Sequence, residues 1–169
     1  GEAGYDRDSF RRCLMTPAPV GELTSEGLDT VRPGEACGPL LGGTLTQLVA
    51  SLGTPYAFGP PLGYALLLDE VGERPYRIDR MLTQLTASGV LARAAGVVCG
   101  EFPDCDEQTG GATARGVVAE QLETFAGPVL FGFPTGHTAR PGLTVPLGVD
   151  VRVIGGRRPR LVVTEAAVA

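Results

Sequence analysis

Three stretches of this chain are apolar without interruption: Tyr64-Ala-Leu-Leu-Leu68, Ala95-Gly-Val-Val-Cys99 and Val129-Leu-Phe-Gly-Phe133. A strand with one wet face alternates apolar and polar residues, whereas a strand covered on both faces reads as a continuous apolar run. All three therefore read as buried strands, and their cover is also visible in the sequence. After the first run, Ile78, Met81, Leu82 and Leu85 share one helical face, with Arg77, Asp79, Arg80, Thr83 and Gln84 on the others. After the second, residues 113–126 read as a helix turning Val117, Val118, Leu122 and Phe125 inward. Leu45, Leu48, Val49 and Leu52 give an earlier helix at the same spacing. Near the end, Val149–Ile154 alternates, Gly155-Gly156 turns and Arg160–Thr164 returns, which predicts a hairpin on the rim. The sum is an α/β domain of about six strands and three or four helices.

Two segments read less clearly. Residues 5–15 predict a short helix, ended by Thr16-Pro-Ala-Pro19, and residues 16–35 read as loop with at most one short strand. Gly38-Pro-Leu-Leu-Gly-Gly-Thr44 has the look of a phosphate-cradling loop but lacks the Gly-Lys-Ser/Thr ending. A tight turn with Thr44 as N-cap, or a glycine backbone open to a substrate, remain as its readings.

The length of 169 residues suits one domain, or one domain and an arm. A net charge of −5 without a basic run argues against nucleic acid or an anionic membrane as partner. No stretch approaches the roughly 18 apolar residues of a membrane span. The polar, acidic start, Gly1-Glu-Ala-Gly-Tyr-Asp, is unlike a signal peptide, and Cys13, Cys37, Cys99 and Cys105 are irregularly spaced. Reduced thiols and a cytoplasmic protein are the expectation. A metal held by Cys99, Cys105 and His137 has no Cys-x-x-Cys to support it. The chain has no lysine, which excludes a Schiff-base or Ser-Lys mechanism within it.

Chemistry gathers at the strand ends. The first buried run closes on Asp69 and Glu70. The third is broken by Pro134 and Gly136, which places His137, the single histidine, on a loop just past a strand end. A carboxylate and a histidine are two members of a serine-hydrolase triad. The third is missing: none of Ser9, Ser25, Ser51 and Ser88 lies in a Gly-x-Ser-x-Gly turn. Arg77 and Arg80 could hold the strand-end carboxylates, and Asp79 reads as part of a solvated helix face. A cysteine hydrolase built on Cys99 or Cys105 with His137 is a weak rival, because thiols in buried strands are usually inert.

A resemblance accounts for the missing nucleophile. Gly38-Pro-Leu-Leu-Gly-Gly-Thr-Leu45, Leu52-Gly-Thr-Pro-Tyr56, Leu66-Leu-Leu-Asp-Glu-Val-Gly-Glu-Arg-Pro-Tyr-Arg-Ile-Asp-Arg-Met-Leu-Thr-Gln-Leu85, and Gly136-His137 with Leu143-Thr-Val-Pro-Leu-Gly148 stand here in the order of the LD-carboxypeptidases. The chain resembles the C-terminal half of that serine peptidase family, which also includes microcin C immunity proteins. The resemblance implies a small mixed sheet or barrel-like β/α domain of the swivelling type, with flanking helices, as the second half of a two-domain enzyme. Residues 1–35 would be the end of a helix and an interdomain linker, and residues 36–169 the acid-and-histidine domain. The serine and the oxyanion hole would lie on an N-terminal domain outside this chain, so the chain alone is expected to be inactive. The implied activity is removal of terminal D-Ala from murein tetrapeptides in cytoplasmic peptidoglycan recycling, by a homodimer, with no cofactor and no metal. Hydrolysis of peptidyl or aminoacyl-nucleotide conjugates, as in the immunity branch, is the alternative. A non-catalytic module for wall-peptide binding or dimerisation is another. The family usually has Glu then Asp where this chain has Asp69 then Glu70, and often Asn where it has Thr44. His137 is the implied base. Asp69 is preferred over Glu70 as the implied acid, since successive strand residues face opposite ways.

Overall fold

A computed structural model describes residues 4–169. The elements run α1 (Arg7–Met15), β1 (Gly21–Leu23), β2 (Asp29–Arg32), β3 (Gly34–Thr44), α2 (Leu45–Ser51), β4 (Tyr64–Asp69), α3 (Pro75–Ala87), α4 (Val90–Arg93), β5 (Ala94–Gly100), α5 (Ala114–Gln121), β6 (Val129–Phe133), β7 (Asp150–Gly155) and β8 (Arg160–Val163). The strands form one mixed sheet in the order β1-β8-β7-β3-β4-β5-β6-β2. β3 to β6 are parallel, and both flanks are antiparallel.

The apolar runs are buried on both faces, as their composition requires. All six residues of β4 are buried. Tyr64, Leu66 and Leu68 face a core shared with Leu45 of α2, Ile78, Leu82 and Leu85 of α3, and Val118 of α5. Ala65 and Leu67 face a second core, with Leu23, Leu40, Val98, Leu130, Val153 and Leu161. That second core lies on the inside of a curled sheet. Its far edge, β2, reaches back to the end of β7, where Thr30 Oγ1 donates to the carbonyl of Gly156 at 2.9 Å. The curl gives the barrel-like form with helices on its outer face.

The structure departs from the sequence reading in the N-terminal third. Residues 16–35 hold two strands and the start of a third, and α1 contributes Cys13 to the inner core. Strands of three or four residues in a Pro/Gly-rich stretch show too little alternation to be read. Gly38–Thr44 is neither turn nor loop but the second half of the 11-residue β3. Gly38 and Gly42 serve close packing of strands: a Cβ would stand 2.0 Å from the carbonyl oxygen of Gly63 at the first and 1.9 Å from that of Leu67 at the second. The described residues hold eight strands and five helices, against about six and three or four. Asp79 is half-buried and accepts from Gln121 at 2.5 Å, joining α3 to α5 where a solvated face was expected. Arg77 pairs with Glu73 and Tyr76, so it does not reach the acids at the end of β4.

Candidate active site

The parallel strands β3 to β6 end at one edge, and the polar residues that follow them collect there, as is usual for parallel sheets. β4 delivers two acids in succession. Asp69 continues the inward parity of Ala65 and Leu67, and Glu70 the outward parity of Leu66 and Leu68. One residue of chain thus sends two buried carboxylates to opposite sides of the sheet.

Asp69 meets His137. The backbone N–H of His137 donates to Oδ1 at 3.1 Å, and Nδ1 lies 2.6 Å from Oδ2. Both oxygens therefore hold one residue, by its main chain and its ring. The Asp69 side chain is 8% exposed and that of His137 48%, so the pair is rooted in protein on one side and open on the other. Nε2 makes no hydrogen bond among the described residues and is the free ring nitrogen. Burial pushes the Asp69 carboxyl above its ordinary range, and the bonds from His137 pull it partly back.

Glycines make the contact possible. Gly136 has φ +67°, and a Cβ there would lie 2.5 Å from the Asp69 carboxylate. The backbone before the histidine thus packs directly on the acid. Further along, Thr135 Oγ1 donates to the carbonyl of Leu143 at 2.8 Å, and the N–H of Leu143 to the carbonyl of Pro134 at 2.7 Å. Helix α1 braces the same loop: the N–H of Thr144 donates to Ser9 Oγ at 3.0 Å, and that of Asp6 to the carbonyl of Gly142 at 2.9 Å.

Glu70 is placed elsewhere. It is 3% exposed, and its Oε2 accepts from the N–H and the hydroxyl of Thr46 at 2.9 and 2.7 Å. It caps the first turn of α2 from a neighbouring strand, where Thr44, the N-cap residue, makes no side-chain bond. The structure brings Asp69 to His137 and turns Glu70 away from both.

Glu101, just past the end of β5, is a residue of this site to which the sequence reading above gives no role. Its Oε1 pairs with Arg140 Nε at 2.7 Å, and its Oε2 accepts from Thr138 Oγ1. It anchors the loop on the far side of His137. The signal that finds it is the one that marks Asp69, an acid where a buried strand ends.

The cysteines lie apart from this site. Cys99 and Cys105 both belong to the helix-side core, and burial pushes their thiols up to about 12 and about 11. Thiols so disfavoured as thiolates are poor nucleophiles. Each serine hydroxyl is engaged with a backbone group. Ser9 and Ser25 accept from the N–H of Thr144 and Gly27, while Ser51 and Ser88 donate to the carbonyls of Leu48 and Leu85.

The family model of the LD-carboxypeptidase C-terminal domain matches residues 37–153. A protein of Streptomyces coelicolor named as a carboxypeptidase is 41% identical over 147 residues, covering 87% of this chain and 46% of its own length. The crystal structure of a muramoyltetrapeptide carboxypeptidase from Oxalobacter formigenes superposes with a TM-score of 0.77 at 26% identity, over 94% of this chain and 54% of that one. The microcin C7 self-immunity protein MccF shares the fold, with a TM-score of 0.75 at 23% identity, over 86% of this chain and 43% of its own. The chain thus spans about half the length of these proteins. The matched segment holds the strand-end acids and the histidine loop alike, and the chain belongs to the LD-carboxypeptidase family, of which it carries the C-terminal domain.

Proposed function

We propose that this chain supplies the acid–histidine half of a serine-type LD-carboxypeptidase that releases terminal D-Ala from murein tetrapeptides during cytoplasmic wall recycling. The observation that carries the reading is the two-point hold of Asp69 on His137, with Nδ1 engaged at 2.6 Å and Nε2 left free. A carboxylate on Nδ1 keeps the proton there, so Nε2 is the lone-pair nitrogen that can take a proton from a nucleophile. His137 then acts as general base on a serine hydroxyl, which attacks the carbonyl preceding D-Ala. The same nitrogen returns the proton to the departing amine. Asp69 keeps the ring in this tautomer and stabilises the imidazolium that forms.

The serine comes from an N-terminal domain that precedes this chain in the full-length enzyme. The engagement of all four serine hydroxyls with backbone groups supports that assignment. Residues 36–169 carry the acid and the histidine, and the segment before them, whose β1 and β2 join the same sheet, leads in from the nucleophile domain. Glu70 has no part in the chemistry on this reading. The test is hydrolysis of an L,D-tetrapeptide. The full-length enzyme should release D-Ala, this chain alone should release none, and His137→Ala in the full-length enzyme should lower the rate by roughly three orders of magnitude or more. Near-normal turnover by His137→Ala would sink the assignment. Hydrolysis of an aminoacyl sulfamoyl adenylate in place of the tetrapeptide would move the enzyme to the immunity branch with the same residues.

A further inference from the structure

A cleft of about 580 Å³ borders the His137 loop, lined by Gly27, Glu101, Pro103, Phe131, Gly132 and Arg140. Arg140 is its one cationic side chain among the lining residues, and it is half engaged. Its Nε is fixed to Glu101 at 2.7 Å, on a carboxylate only 15% exposed, while the Arg140 side chain is 50% exposed. Its terminal nitrogens lie over Gly27, where a Cβ would stand 3.1 Å from one of them, and neither donates to any described residue. Both Glu101 oxygens are occupied, one by Arg140 and one by Thr138, so the acid's charge is committed to the loop. Arg74, Arg77 and Arg115, further cations on this side of the molecule, are tied to Glu107, Glu73 and Asp29. What remains is a planar fork with its outer edge free, held rigidly from behind, three residues from His137. Such an edge matches a carboxylate by paired hydrogen bonds.

Resting on the carboxypeptidase reading, we propose that Arg140 is a specificity-determining residue whose free guanidinium edge holds the terminal carboxylate of the residue to be released. An exopeptidase must tell a chain end from an ordinary peptide link, and the difference is one negative charge. Glu101 is the positioning residue that sets the fork and the histidine loop on a common anchor.

The experiment compares two substrates in the full-length enzyme: a murein tetrapeptide ending in D-Ala, and the same peptide ending in D-alaninamide. The wild type should favour the acid by roughly 10- to 100-fold in kcat/KM, the range for losing one hydrogen bond to a charged group. Arg140→Ala should abolish that preference by raising KM for the acid, with kcat changed less than about threefold and the amide unaffected. Arg140→Lys should keep part of it. The double variant Glu101→Gln, Arg140→Ala leaves no unpaired carboxylate behind and should show the same loss of preference. A preference that survives Arg140→Ala, or an equal penalty on both substrates, overturns the proposal while leaving the carboxypeptidase reading intact. A wild type that cleaves neither peptide overturns both.

Discussion

Asp69 and Glu70 are neighbours in sequence, are both almost wholly buried, and do opposite things. Asp69 faces the inside of the curled sheet and spends its two oxygens on a residue whose ring stands half in solvent. Glu70 faces the helical layer and spends its carboxylate on the start of α2. The strand alternation that makes β4 a two-sided core element also sorts the two acids at its end. Burial raises the Asp69 carboxyl and so disfavours its charge. A site that must keep a buried carboxylate ionised carries a cost in stability. The helix cap carries the reverse sign, since it satisfies donors that would otherwise be stranded.

The largest break in this comparison is Asp69→Asn. The amide can still accept from the backbone N–H of His137, but it offers an N–H to Nδ1 and so drives the ring proton to Nε2. The base is then blocked, and the full-length enzyme should lose roughly 10³–10⁴ in kcat, about 4–5.5 kcal/mol of barrier. Stability should move the other way. Because the folded carboxyl titrates above its ordinary value of 3.8, the fold holds a proton that the unfolded chain has released, across the pH range between the two. Wild-type stability therefore declines as pH rises through that range, and Asp69→Asn escapes the decline. Urea melts of this chain should show the variant equal to wild type below the range and at least as stable above it. A variant less stable at neutral pH would mean that the carboxylate is structural, like its neighbour.

Gly136→Ala attacks the same contact from the other side. A residue with a Cβ at φ +67° costs about 1–2 kcal/mol, and this Cβ would also meet the Asp69 carboxylate at 2.5 Å. The expected loss in a denaturant melt is roughly 2–4 kcal/mol. Removing the obstacle tells strain from clash: Asp69→Ala combined with Gly136→Ala should recover the part due to overlap and leave the part due to φ.

Much of this arrangement is legible in the sequence, for a physical reason. β4, β5 and β6 are covered on both sides, so their apolar runs are unbroken, and the residues that break them sit by construction at the edge where the site forms. The period of two sends Asp69 and Glu70 to opposite faces, and the order of the family's motifs is what points to Asp69. What stayed hidden depends on tertiary approach. β3 carries Gly38 and Gly42 where its backbone packs against Gly63 and Leu67, yet glycine-rich segments read as turns. β1 and β2 are too short to show a period, and α1 braces the histidine loop through Ser9, a contact 135 residues away in sequence. Glu101 and Arg140 are two charges 39 positions apart whose pairing no local pattern announces.

The mildest expected effect concerns Glu70, the acid bonded to Thr46 and not to His137, and it sharpens the comparison most. Glu70→Gln keeps an oxygen for the N–H and hydroxyl of Thr46 but removes the charge that favours a helix start. It should cost about 1–2 kcal/mol in a urea melt of this chain. Because Glu70 points into the helical layer, kcat of the full-length enzyme on a tetrapeptide should stay within about threefold of wild type at a temperature where the variant is folded. A large fall in kcat without a fall in stability would put Glu70 in the chemistry, through a shift of strand register that exchanges the two acids.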